Sequence, residues 1–125
     1  MADYMIESNK LITKDFEVSF DFCIKDVQFI DNIYVLLLDI PNDVDETDNI
    51  YGVNEQGKII WRIENPIEAF NINKDEQGYR YLASSTYVNM HLSPNGVFTA
   101  NTFFAIKYTL DYKTGKLLKI DFNRW

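Results

Sequence analysis

NIYGVNEQGKIIWRIE, residues 49–64, is the stretch that decides the fold, because it has the pattern of two short apolar strands that fold back on each other. The strands are joined by NEQG, residues 54–57, and glycine is favoured at the left-handed position of such a turn. On the second strand Trp61 shares a face with Ile59 and Ile63, since alternate side chains of a strand point the same way. The stretch therefore predicts a β-hairpin with Trp61 in the core.

A second stretch of the same order closes the chain: FAIKYTLDYKTGKLLKIDF, residues 104–122. An apolar strand that carries a tyrosine leads through an acid and a Gly-Lys turn into a second apolar strand. Side chains of facing strands stabilise a sheet when they pack side by side. The residues predicted to pack in this way are Phe104, Ile106, Tyr108, Leu110, Leu118, Ile120 and Phe122.

Two earlier segments also have strand patterns. From Phe16 to Lys25 apolar and polar residues alternate, which is typical of a half-buried strand. From Ile33 to Ile40 the chain is apolar on both faces, as in a central strand covered on two sides, and Pro41 then ends it. The length of 125 residues corresponds to one domain. We therefore predict a single all-β domain, residues 1–125, of antiparallel hairpins arranged as two packed sheets or a partly open barrel.

The segment between the two hairpins is less regular. Pro66 is suited to open a short helical turn that extends to Ala69. Tyr79–Ala83 and Tyr87–Leu92 are predicted to be paired strands. Ser93, Pro94, Asn95 and Gly96 form a turn signal. A further strand is expected to begin at Val97 and to run into the closing hairpin.

At the two hairpins the sequence resembles blades of β-propellers of the PQQ and WD type. The matching residues of the first hairpin are 50–54, IYGVN, followed by 57–61, GKIIW. Those of the second are 107–111, KYTLD, and 115–118, GKLL, with Ile120 where the repeat tolerates tryptophan. A closed propeller needs at least four blades of four strands each, and this chain has strand for about two. The resemblance implies blade-like sheets that close in another way, and it implies no cofactor residue.

Charge is unevenly distributed along the chain. The formal net charge is −7, and residues 101–125 carry five bases and two acids, or +3, which leaves −10 for residues 1–100. An acidic body repels phosphate backbones, so nucleic acid is disfavoured as a partner. A basic protein would be attracted.

The amino terminus and the cysteine content bear on location. MADYMIESNK carries acids early and lacks the apolar run of a signal peptide, and no apolar stretch approaches the length of a membrane span. Cys23 is the single cysteine, so no internal disulfide is possible. It falls on the polar face of its strand, either as a reactive thiol or as a small side chain under a neighbouring loop. We expect a cytoplasmic protein with no membrane partner.

The loop from Pro41 to Asn49 holds four acids and no base: Asp43, Asp45, Glu46 and Asp48. Two of them have the spacing that opens a calcium loop. However, the position that needs glycine is Asp48, and the position that needs glutamate is Asn54. We predict no metal site here, and interpret the loop as a solvated segment or a contact surface for a basic partner.

His91 is the only histidine, and it falls on a predicted strand with Tyr87 and Asn89 on the same face. This trio is consistent with an acid–base group or with a surface patch. The sequence has no Gly-rich phosphate loop, GxSxG, CxxC or HExxH motif. We therefore predict neither a cofactor nor a catalytic set.

Three functions remain open from the sequence. The favoured one is a non-catalytic protein that binds another, basic protein, with an immunity protein that neutralises a toxin domain as its concrete form. Its expected contact residues are the four loop acids together with Tyr87, Asn89 and His91. The alternative is a small-molecule-binding module or enzyme that uses a concave sheet face near His91 or Arg80. The third is a subunit whose open sheet edge pairs with another copy.

Overall fold

The computed structural model describes residues 3–76 and 78–122, and they form three antiparallel sheets with two short helices. The strands are β1 (Tyr4–Glu7), β2 (Lys10–Thr13), β3 (Glu17–Ser19), β4 (Ile24–Ile30), β5 (Ile33–Leu38), β6 (Ile50–Val53), β7 (Ile59–Arg62), β8 (Tyr87–Leu92), β9 (Phe98–Thr102), β10 (Ile106–Asp111) and β11 (Lys116–Phe122). The helices are α1 (Pro66–Ala69) and α2 (Tyr79–Ala83). The N-terminal sheet is β1-β2-β3, the central sheet β4-β5-β6-β7 and the C-terminal sheet β8-β9-β10-β11. The all-β, antiparallel prediction is confirmed.

The central sheet is covered on both faces. On β5, Val35 and Leu37 belong to a core shared with the C-terminal sheet. Tyr34, Leu36 and Leu38 belong to a second core shared with the N-terminal sheet. This alternation explains why the strand is apolar at every position, as the sequence predicted. The described residues therefore stack in three layers around two cores.

The central hairpin is fixed to the C-terminal sheet through Trp61. A Cβ atom at Gly52 would lie 2.3 Å from the indole, and one at Gly115 would lie 2.6 Å from it, so both glycines are needed for the ring to fit. The indole nitrogen donates to the carbonyl of Tyr112 at 2.9 Å. Glu64 accepts from the backbone of Leu117 at 3.0 Å. The second strand of the central hairpin and the turn of the closing hairpin are therefore packed against each other.

The prediction of one continuous strand from Phe16 to Lys25 is wrong, because the strand is interrupted in its middle. β3 ends at Ser19, the chain bends, and β4 begins at Ile24. Asn9 binds the backbone at the bend, where its side chain donates to the carbonyl of Phe20 at 2.6 Å. Phe20 and Ile24 still lie in the same core. The alternation identified the apolar face correctly, but it cannot show that the strand is divided between two sheets.

The strand predicted at Tyr79–Ala83 is also wrong, because this segment is the helix α2. Gly78 has a φ of 84° and its carbonyl accepts from the backbone of Leu82 at 3.1 Å, which starts the helical turn. A short apolar run has no clear period, so sequence alone cannot separate a strand from a helix. The helical turn expected at Pro66 is confirmed as α1, which is capped by Asn65.

The closing hairpin differs from its prediction at two positions. β9 does not run into it, because the chain turns after Thr102, and Phe104 lies in that turn. A bulge at Thr109 and Leu110 places Leu117 in the core and leaves Leu118 61% exposed. A one-residue shift moves a side chain to the other face of a sheet. The side chain of Phe122 lies outside the described part of the structure.

Candidate functional site: an apolar groove beside the acidic loop

The acidic loop divides into two halves with different surroundings. Its inner half, residues 46–49, is bound to the rest of the fold. Asp48 accepts from the Ser85 hydroxyl at 2.7 Å and from the Asn65 amide at 3.0 Å. Asn49 is buried and makes three hydrogen bonds, to the carbonyl of Leu38 and to both backbone groups of Tyr87. The inner half therefore joins the central sheet to the C-terminal sheet.

Arg62 holds the inner half of the loop from outside. Its guanidinium pairs with the Glu46 carboxylate at 3.0 Å and donates to the carbonyls of Thr47, at 2.8 Å, and Asp48, at 2.9 Å. It also lies over the ring of Tyr51, 5.4 Å from the centroid. Two of the four predicted contact acids are thus engaged within the protein.

The outer half of the loop, residues 41–45, projects away from the sheets. Asp43, Val44 and Asp45 are exposed, and a turn bond of 3.0 Å from the Val44 amide to the Pro41 carbonyl shapes the segment. Among the described residues neither Asp43 nor Asp45 has a side-chain hydrogen bond or an ion pair. These two carboxylates are therefore fully available to solvent or to a partner.

A groove of about 370 Å³ lies between the outer half of the loop and the turn that follows β9. Its walls are mostly apolar, with two hydroxyl groups at one side. They consist of Ile40, Pro41, Asn42, Val44, Ser84, Thr86, Val88, Phe103 and Phe104. We refer to it as the loop groove.

Phe103 forms the exposed lip of the loop groove. It is 72% exposed, the largest exposure among the described large apolar side chains. The turn is tight, because the Ala105 amide bonds the Thr102 carbonyl at 3.0 Å and Ala105 has a φ of 63°. Phe104 turns inward and packs edge-to-face on Tyr81, 5.0 Å between centroids. Phe103 therefore stands out over the groove while its neighbour holds the turn in place.

The predicted trio on β8 is only partly brought together. A bulge between Tyr87 and Asn89 turns Tyr87 inward, where it is 2% exposed, so the prediction that it shares a face with Asn89 and His91 is wrong. Asn89 and His91 are exposed on the outer face. The Asn89 side chain accepts from Asn101 at 2.6 Å, while His91 lies opposite Thr99.

The sequence matches one protein family, described as Domain of unknown function (DUF7957), over residues 1–122. The chain belongs to the DUF7957 family. No curated protein and no solved structure matches it. The function of this DUF7957 domain is therefore inferred from its own surface.

The outer face of the C-terminal sheet of this DUF7957 domain is polar. Two rows of paired residues cross the four strands. The rows are His91-Thr99-Thr109-Lys119 and Asn89-Asn101-Lys107-Asp121. Neither His91 nor Arg80 lines the loop groove, and Arg80 instead donates to the Tyr81 hydroxyl at 3.1 Å. The predicted convergence of these two residues on a cleft is not found there.

Two buried tyrosines lie behind the inner half of the loop. Burial raises the pKa of Tyr87 well above its usual value, and it raises the pKa of Tyr108 likewise, with Asp48 adding to both shifts. Their rings meet edge-to-face at 5.7 Å. Neither hydroxyl has a hydrogen-bond partner among the described residues. Asp48 of the DUF7957 loop thus acts electrostatically on the buried tyrosines as well as bonding to Ser85 and Asn65.

Other chemistry is sparse in the described parts of the chain. Within residues 3–76 and 78–122, no three side chains of the metal-binding types come together as ligands. Neither described helix is long and apolar enough to span a bilayer. Cys23 is exposed, with its sulfur 3.5 Å from the Ser8 hydroxyl.

Sequence reasoning identified the acids of the DUF7957 loop but missed Phe103 and Arg62. A signal for Phe103 was present, because Phe103 and Phe104 are adjacent and neighbouring side chains of an extended chain point to opposite faces. One of the two rings therefore had to leave the core or mark a turn. Arg62 carried no such signal, since its contacts join residues 14 to 16 positions apart.

Proposed function

We propose that this chain is a non-catalytic protein that binds a basic protein domain through the loop groove. The observation that carries the proposal is the exposed Phe103 ring of a groove that Val44 also lines. Val44 is flanked in sequence by two exposed, unpaired carboxylates, Asp43 and Asp45. Contiguous exposed apolar surface next to polar groups is characteristic of interaction sites. An aromatic anchor with charged residues around it is also the composition that protein interfaces favour.

The charge of the molecule is the reason to choose a basic partner. A net charge of −7 accelerates the approach of a cationic domain and opposes that of an acidic one. Asp43 and Asp45 carry part of that charge on the same loop segment as Asn42 and Val44, which line the groove. The partner therefore brings lysine or arginine residues to Asp43 and Asp45 and an apolar contact to Phe103.

The concrete form of the proposal is an immunity protein that neutralises a basic toxin domain in the cytoplasm. A toxin that acts on nucleic acid needs a cationic active site to attract phosphate. A small acidic domain blocks such a site by covering it and by matching its charge. Size, acidity and the anchored groove support this role, which requires no catalytic residue.

A pull-down from the source cell tests the proposal. Tagged wild-type protein is compared at low and high salt with Phe103→Ser and with the double variant D43N/D45N, and bound proteins are identified by mass spectrometry. We expect a stoichiometric basic partner at low salt, which high salt releases because exposed charge pairs are screened. Both variants should reduce capture, with Phe103→Ser at about tenfold or more, the range of an interface anchor.

Matched controls separate the groove from general surface effects. Leu118→Ser removes another exposed apolar side chain from β11. D75N/E76Q removes two exposed acids from the loop before α2, with the same change in net charge. Both controls should capture the partner as wild type does. Capture that is unchanged in Phe103→Ser and D43N/D45N, or no salt-sensitive partner at all, would contradict the proposal.

The alternative function, an enzyme or small-molecule module centred on His91, predicts a different result. His91 lies on the outer face of β8, whereas the loop groove is lined by Val88 and Thr86 of the same chain segment. We expect His91→Ala to leave partner capture within about twofold of wild type, as for a residue outside the anchor. A large loss on this substitution would favour the His91 surface over the groove.

A further inference from the structure

A second cleft, of about 330 Å³, opens between the N-terminal and central sheets and shares no lining residue with the loop groove. It combines aromatic walls with an acidic rim. Its lining residues are Asp3, Thr13, Lys14, Asp15, Phe16, Phe29, Asn32, Tyr34 and Glu55. We refer to it as the aromatic cleft.

Three rings form the wall of the aromatic cleft. Tyr34 lies at the centre, with Phe29 at 4.5 Å and Phe16 at 5.8 Å between centroids. The turn of the central hairpin packs on Phe16 so closely that a Cβ atom at Gly57 would lie 2.7 Å from its ring. This contact fixes the turn against the cleft and places Glu55 at its rim. The aromatic faces are therefore held in place by the fold.

Three carboxylates surround these rings without being neutralised. Asp3, Asp15 and Glu55 are exposed, and no described residue forms an ion pair with any of them. Lys14 also lines the cleft, so the lining carries three acids and one base. Burial raises the pKa of the Tyr34 hydroxyl, and Glu55, Asp15 and Asp3 add to that shift.

The Tyr34 hydroxyl is a polar group without a partner at this site. The residue is only 5% exposed, yet its side chain lines the cleft, and no hydrogen bond to its hydroxyl is made by a described residue. A ligand in the cleft that offers a hydrogen-bond donor would supply a partner.

We propose that the aromatic cleft binds an organic cation, namely a guanidinium or primary ammonium group, stacked on the rings and paired with the rim carboxylates. Cations are attracted to aromatic faces within about 6 Å, and carboxylates add direct charge pairing. A guanidinium group is planar, stacks on aromatic rings and pairs with carboxylates, and the lining of the cleft offers both kinds of group. This site is independent of the partner proposed for the loop groove.

Titration with small cations tests the site directly. The probes are N-acetylarginine amide and tetramethylammonium, with N-acetylnorleucine amide as the neutral control, added to the full chain and followed by amide NMR shifts. We expect N-acetylarginine amide to shift the amides of Asp15, Phe16, Glu55 and Gly57 at millimolar concentrations. Tetramethylammonium, which cannot donate hydrogen bonds, should bind more weakly, and the neutral amide should not bind.

Two variants and a matched control identify the residues responsible. D15N/E55Q should weaken arginine amide binding about tenfold, and Tyr34→Phe about threefold, because each removes a charge or hydrogen-bond contact. D75N/E76Q makes the same change in net charge outside both clefts and should bind as wild type does. Because Asp15 and Glu55 are exposed, the fold should persist, and Glu55→Gln alone serves as a milder variant.

Several outcomes would overturn this proposal. They are equal weakening by D75N/E76Q, equal binding of the neutral amide, or shifts confined to residues outside the aromatic cleft. A pentapeptide with a central arginine then identifies the source of the cation. Binding about tenfold tighter than the single amide indicates a polypeptide side chain, as extra contacts would provide. Equal binding indicates a free small cation, and in both cases the cation site stands.

Discussion

Each half of the acidic loop holds two acids and one asparagine, but the two halves differ in what surrounds them. In the inner half, Asp48 and Asn49 bond to distant segments, and Glu46 is held by Arg62. In the outer half, Asp43 and Asp45 extend from a turn with no described partner. The difference teaches that acidity alone does not mark a contact surface. Within one loop, some polar groups hold two sheets together, and others stay free for a partner.

The largest effect is expected from Asn49→Ala in the inner half. The substitution removes three hydrogen bonds to backbone groups of the buried residues Leu38 and Tyr87. Unfolding in urea should show a loss of about 3 kcal/mol, since each buried unsatisfied group costs about 1 kcal/mol or more. Asn42→Ala, an exposed position of the outer half, should change stability by less than about 0.5 kcal/mol. Similar losses in both variants would remove the distinction between the halves.

A smaller effect is expected when the contacts of Arg62 with the inner half of the loop are removed. Arg62→Met keeps much of the apolar stem of the side chain but loses the Glu46 pair and two carbonyl contacts. Because these contacts are solvent-exposed, the free energy of unfolding should fall by about 1 kcal/mol. In Arg80→Met the free energy of unfolding should fall by less than about 0.5 kcal/mol. Among the described residues the Arg80 side chain donates one hydrogen bond, to its sequence neighbour Tyr81. An equal change in the two variants would show that Arg62 does not hold the loop.

The smallest effect concerns the tyrosines behind the inner half. Because burial raises the pKa of Tyr87 and Tyr108 in the folded state, the unfolded chain releases these protons first as the pH rises. This contribution to stability is complete below about pH 10, the ordinary tyrosine pKa, and is lost above it. In Tyr108→Phe the free energy of unfolding should therefore decrease less steeply with rising alkaline pH, by up to about 1.4 kcal/mol per pH unit.

At neutral pH the stability of Tyr108→Phe should be close to that of wild type. The Tyr108 hydroxyl has no described partner, so its removal should change stability by less than about 1 kcal/mol. Urea unfolding of wild type and Tyr108→Phe from pH 7 to alkaline pH measures both effects. Identical alkaline slopes in the two proteins would show that Tyr108 does not carry the effect. Asp48→Asn should also lower the Tyr108 pKa, since a nearby negative charge is removed.

Much of the fold could be predicted from local patterns. Period-two alternation and glycine turns identify the two hairpins, and the doubly apolar run at Ile33–Leu38 identifies the central strand. The failures occur where local pattern is weak or misleading. Tyr79–Ala83 is too short to show a period, and the bulge at Asn89 reverses the face of Tyr87.

The candidate site was less predictable, because its parts are distant in sequence. The acids of the loop could be identified from the sequence, but Asp48 accepts its hydrogen bonds from Asn65 and Ser85, which are distant in sequence. Such tertiary hydrogen bonds leave no local sequence signature. The groove exists because the β9–β10 turn brings Phe103 beside Val44, and turn geometry decides which of two adjacent aromatics is exposed.

The most direct test of the account is the affinity of the basic partner, isolated by pull-down, measured by calorimetry at low and high salt. At low salt we expect D43N/D45N to bind about tenfold more weakly than wild type, and at high salt the two should converge because screening removes the contribution of exposed charges. Phe103→Ser should be weaker at both salts, and D75N/E76Q should match wild type. Two results would contradict the claim that the outer half of the loop binds the partner. One is a wild-type affinity that is the same at low and high salt, and the other is equal weakening in D75N/E76Q and D43N/D45N.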